Sequence, residues 1–150
     1  MQTESEDLVT RISSNVFYKE FTFHKNNFIT PHGQKELADN VLWIDDLLFL
    51  IQVKERNASE VKTTVEENKW FENTVLKKAK NQIKDSLSFF SLYDEIKLKN
   101  VRNHIIDIAK AGTTTTNKII IYKPNSLMLS NKNKSLKFCQ SSVYGNISFI

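Results

Sequence analysis

Three polar side chains stand where packing alone would not put them: Asp39 ahead of "NVLWI", and Gln52 and Lys54 at the end of "LLFLIQVKE". Charged groups beside a packed core cost free energy unless something compensates them. The stretch from Asp39 to Arg56 reads as a β-hairpin turning at Asp45-Asp46. Alternation puts Asp39, Val41 and Trp43 on one face of the first strand, and Leu48, Leu50, Gln52 and Lys54 on one face of the second. Twelve residues separate Asp39 from Gln52, so the hairpin gathers the three polar side chains at one end of the sheet. A carboxylate and an amide oxygen suit a hard cation such as Mg²⁺ (or Mn²⁺), and the carbonyl of Val53 can supply a third oxygen. Such a cation activates water and offsets charge developing on a phosphate. Lys54 adds a fixed cation to orient the water or stabilise the transition state. The chemistry these residue types point to is metal-dependent phosphodiester cleavage.

The run "ELADNVLWIDDLLFLIQVK" resembles the PD-(D/E)XK nuclease superfamily in its Gln-X-Lys form, with Ala38-Asp39 in place of Pro-Asp. The resemblance implies a restriction-endonuclease-like core over roughly residues 4–123, a DNA substrate, and a place in restriction or other defence against foreign DNA. It casts Asp39, Gln52 and Lys54 as the catalytic set, with Asp39, Gln52 and the Val53 carbonyl on the metal. Glu6 (or Glu4) of the first helix is the further glutamate that this fold often supplies. "AKNQI", Ala79 to Ile83, resembles an Ala…Gln pattern on the following helix. Gln52 in place of glutamate removes one anionic ligand. Glu36 is a candidate substitute, although a regular strand would turn it away from Asp39. Double-strand cutting by one site per chain requires a pair of chains, so a homodimer is expected.

The elements that must position these residues follow from periodicity. "SEDLVTRISS" reads as a helix capped by Ser5, with Leu8 and Ile12 on one face. An aromatic strand is expected over about 16–24, and a loop over "NNFITPHGQ". "LLFLIQVKER" is apolar on both faces, as in a central strand covered on both sides. A long helix is expected over about 66–92, with Phe71, Val75, Ala79, Ile83, Leu87 and Phe90 as its apolar stripe. "KLKNVRNHIIDIAKA" and "NKIIIYKP" read as two more strands joined around "GTTTT", and a last short strand follows a polar lysine-asparagine loop. The order is that of an α/β (α+β) domain, a central mixed sheet flanked by helices.

The 150 residues make one domain. No apolar run is long enough for a membrane span. An acidic start without the apolar core of a signal peptide, and a single cysteine (Cys139), suggest a reducing, cytoplasmic location. The apolar end, "NISFI", suggests a natural protein that continues further. His24, His32 and His104 are scattered, and no phosphate-binding glycine loop is present. Charge is uneven: residues 1–76 carry a net −5 and residues 97–137 a net +8. Lys97, Lys99 and Arg102 in the basic part, and the helical row Lys77, Lys80 and Lys84, are candidate phosphate contacts. A merely solvated lysine surface reads equally well from charge alone. Two alternatives stand beside the nuclease. One is a non-catalytic domain of the same fold that binds nucleic acid or protein. The other is an oligomerisation domain built on the aromatic N-terminal strand and the apolar C-terminus.

Overall fold

A computed structural model describes residues 3–24, 26–56, 63–123, 137–141 and 145–150. The hairpin at its centre is β4 (Asn40–Ile44) and β5 (Leu47–Glu55), antiparallel with Asn40 opposite Ile51 and Ile44 opposite Leu47. Asp45, at φ 51°, makes the two-residue turn, and its carbonyl accepts the Trp43 indole N–H. β5 also pairs in parallel with β8 (Thr115–Lys123), Gln52 beside Ile120 and Lys54 beside Tyr122. It is therefore the inner strand that its two apolar faces suggested. A parallel neighbour needs a long crossover. The chain supplies it with α2 (Thr64–Trp70), a π-helical segment (Phe71–Ala79) and α3 (Lys80–Leu92) in unbroken succession. The mixed sheet runs β1-β4-β5-β8-β10-β9, where β1 is Thr22–His24, β9 is Lys137–Ser141 and β10 is Gly145–Phe149. The domain is α+β, as the order of elements implied.

Helices cover both faces. On one, Val75, Ala79 and Ile83 bury against Ile120, while Leu87, Phe89 and Phe90 pack on the cluster holding Val41, Leu48 and Leu50. On the other, α1 (Glu4–Val16) lays Val9 on Leu42, Ile51 and Val53. None of the described helices is long and apolar enough to cross a membrane.

The structure differs from the sequence reading in six places. Thr3, not Ser5, caps α1, through a reciprocal box with Glu6. Leu8 and Ile12 are 48% and 54% exposed, because the helix presents Ser5, Val9, Thr10 and Ser13 instead. Short side chains let α1 approach the sheet, and Asn40 Nδ2 donating to Thr10 Oγ1 at 3.0 Å fixes its rotation. The helix runs to Val16, so the aromatic strand shrinks to Thr22–His24. "NNFITPHGQ" holds a hairpin, β2 (Asn27–Thr30) and β3 (Gly33–Glu36), with Gly33 at φ 103° and Thr30 Oγ1 donating to its carbonyl. "KLKNVRNHIID" is also a hairpin, β6 (Lys97–Lys99) and β7 (Ile105–Asp107). Its turn has neither glycine nor proline; Asn100 Oδ1 makes it by accepting from the N–H groups of Arg102 and His104. A 3₁₀ turn (Ala109–Thr113) then leads into β8, and two C-terminal strands are present where one was expected. The lysine-asparagine loop lies outside the described residues.

Candidate functional site

Asp39 is delivered by a fixed piece of chain. Leu37 and Ala38, each 1% exposed, follow β3 and are tied on three sides. The Leu37 N–H donates to the Asn26 carbonyl at 2.8 Å, Asn26 Nδ2 donates to the Ala38 carbonyl at 2.9 Å, and the Ser86 hydroxyl of α3 donates to the Leu37 carbonyl. Asp39 thus enters β4 with its carboxylate set against the end of β5. Its Oδ2 accepts the Val53 backbone N–H at 2.6 Å and Lys54 Nζ at 3.3 Å. Lys54 Nζ also donates to Gln52 Oε1 at 3.3 Å. One ammonium group therefore joins the other two side chains, and their oxygens lie no further apart than twice that distance. Asp39, Gln52 and Lys54 are brought together at one end of the sheet, as hairpin geometry required.

Gln52 opens onto a cleft of about 240 Å³ that it shares with Lys35, Glu36, Leu37, Gln82, Asp85 and Phe89. Glu36 was expected to turn away from Asp39. It does not, because β3 ends at Glu36 and the non-strand pair Leu37-Ala38 breaks the alternation. Burial of its carboxyl, followed by the charges of Asp39 and Glu6, raises the Glu36 pKa above the ordinary glutamate value, against a smaller pull from Lys54. Glu36 is therefore the residue of this site that sequence spacing discounted. Gln82, within the "AKNQI" segment, lines the same cleft, and its buried Oε1 has no hydrogen-bond partner among the described residues.

The other predicted residues fall at varying distances from this centre. The Glu6 carboxylate accepts the Thr3 N–H at 3.0 Å in the helix cap, so it reaches the site through its charge rather than by contact. Lys77 and Lys84 are exposed and Lys80 half-buried along the crossover helix. Lys97 pairs with Glu95 at 2.7 Å, and that hydrogen bond raises its pKa. Arg102 pairs with Glu20, beside a cleft that Trp43 and Asp45 also line. It belongs to the turn end of the hairpin, opposite Lys54.

The donors at the Asp39 end are all oxygens: the Asp39 and Glu36 carboxylates and the side-chain carbonyls of Gln52 and Gln82. Gln82 Oε1 is buried and has no hydrogen-bond partner among the described residues. This set fits a hard cation better than a soft one. Among the described residues no three histidine, cysteine, aspartate or glutamate side chains converge, so any such cation would depend on amide and backbone oxygens. No family model, curated protein or solved structure matches the chain.

Proposed function

We propose that the domain is a metal-dependent nuclease of PD-(D/E)XK type that cleaves a phosphodiester bond in DNA. The observation that carries this reading is Lys54 Nζ at 3.3 Å from both Asp39 Oδ2 and Gln52 Oε1, at the end of a strand buried on both faces. Asp39, Gln52 and the Val53 carbonyl would hold Mg²⁺ or Mn²⁺, with Glu36 adding negative charge beside them. The cation would supply charge against the attacked phosphate and make water more acidic. The chain's own residues supply the rest. Asp39 holds the Lys54 ammonium in place, and Val53 N–H holds Asp39. Lys54 then offers a preorganised positive charge to the phosphate oxygens, without reorganisation during the reaction. Glu36 lines the same cleft as Gln52 and brings its carboxylate to that rim.

A second reading, binding without cleavage, draws on one feature. The Lys54 ammonium itself neutralises Asp39, so the pair is satisfied without a metal. Incubating labelled DNA with the protein in Mn²⁺, Mg²⁺ and EDTA separates the two. Cleavage in metal that is lost in Asp39→Ala supports the nuclease. Duplex binding in EDTA without cleavage under any metal supports the binding domain.

A further inference from the structure

Two residues beyond Lys54, just past the end of β5, Arg56 is held as few surface arginines are. Its Nε donates to Glu67 Oε1 at 2.9 Å, and its guanidinium lies 5.7 Å from the centre of the Trp70 ring. Glu67 is 4% exposed, and its second oxygen has no hydrogen-bond partner among the described residues. Burying a carboxylate costs more than an ion pair ordinarily returns. Its place in the first turn of α2 offsets only part of that cost. For fold stability alone, an apolar pair would serve as well. What the arrangement does provide is a fixed guanidinium: one edge is bound by Glu67, one face is set by Trp70, and the two terminal nitrogens have no acceptor among the described residues.

We infer that Arg56 binds a backbone phosphate neighbouring the one that Lys54 faces, with Glu67 and Trp70 as its positioning residues; the inference rests on the nuclease reading. β-Strand rise puts residues two apart about 7 Å from one another. Successive phosphates along a nucleic-acid strand have comparable spacing. Gln52, Lys54 and Arg56 then form one row, running from the metal ligands through the cation at the attacked phosphate to a clamp on the next phosphate. The planar fork of arginine suits two phosphate oxygens at once, which lysine cannot match.

The test is fluorescence anisotropy with a labelled duplex in EDTA across a salt series, beside cleavage kinetics in Mn²⁺. Arg56→Met combined with Glu67→Gln removes the pair together, so no buried charge is stranded. Arg56→Lys keeps the charge and loses the fork, and serves if the double variant does not fold. The expected result is a salt slope shallower by about 0.9 for the double variant, with KM raised and kcat retained. Arg56→Lys should keep the slope but bind more weakly. If the parent cleaves while both variants match its slope and KM, Arg56 only stabilises the fold and the inference is overturned. Loss of inorganic phosphate binding by calorimetry, with duplex binding unchanged, would also overturn it by assigning Arg56 to a free anion. A parent that neither binds nor cleaves the duplex sinks the nuclease reading itself.

Discussion

Replacing Lys54 by alanine perturbs both stability and activity, and the structure separates the two magnitudes. The Lys54 and Asp39 side chains are 12% and 10% exposed and lie 3.3 Å apart. Stranding one partner of a fully buried pair costs about 3–5 kcal/mol. Here Asp39 keeps its hydrogen bond from Val53 N–H, and some water reaches it, so about 1–3 kcal/mol is expected. In a chain of 150 residues each kcal/mol moves Tm by about 2–4 °C. The variant should therefore melt several degrees below the parent and remain folded at 25 °C. Cleavage should fall much further, by about 10²–10³-fold, the usual loss when one preorganised electrostatic group is removed. Adding Asp39→Asn should recover most of the stability, since no uncompensated charge remains, and none of the cleavage. The assays are thermal melts in EDTA and plasmid nicking in Mn²⁺, with single and double variants as a cycle. An unchanged Tm would mean that the ion pair does not form. Cleavage within twofold of the parent would remove Lys54 from the chemistry.

Gln52→Glu adds a carboxylate beside Glu36 and Asp39 and should lower the Mn²⁺ dissociation constant in calorimetry; equal or weaker affinity would mean that Gln52 does not face the cation. Glu36 has a raised pKa in the folded chain, so the stability linked to it is present below the unfolded glutamate pKa and lost as pH rises through the higher folded value. Glu36→Gln should accordingly melt above the parent at pH 7 and flatten that limb of the Tm–pH profile. Asp107 behaves oppositely. The N–H groups of Ala109 and Ile96, which its Oδ1 accepts at 3.0 and 2.9 Å, hold its pKa low. The stability it lends is present above the unfolded aspartate pKa and lost as pH falls through the folded one, and Asp107→Asn should remove that acid limb. Asp39→Ala removes one negative charge beside the proposed phosphate site, so anisotropy in EDTA should find duplex binding equal to the parent's or tighter, while cleavage is lost.

The amino-acid sequence by itself determined the parts in which local pattern and packing demand agree. The hairpin from Asn40 to Glu55 is one, because its apolar runs and acidic turn allow a single register. The long helix is another, because Val75, Ala79 and Ile83 recur at helical spacing. The gathering of Asp39, Gln52 and Lys54 followed from that register, since antiparallel pairing sets the start of one strand against the end of the other. Tertiary structure decided what lies between separate elements. Leu8 and Ile12 make as good an apolar face as Val9, and only the fit of Ser5 and Ser13 against the sheet, with the Thr10–Asn40 hydrogen bond, turned α1 the other way. Glu36 joined the site because Asn26 and Ser86 hold Leu37 and Ala38 out of strand geometry, and both lie far from Glu36 along the chain or on another element. Arg56 and Glu67 are eleven residues apart in sequence, and no local rule pairs them. A side chain's partners across elements depend on how those elements pack, and periodicity within one segment does not encode that.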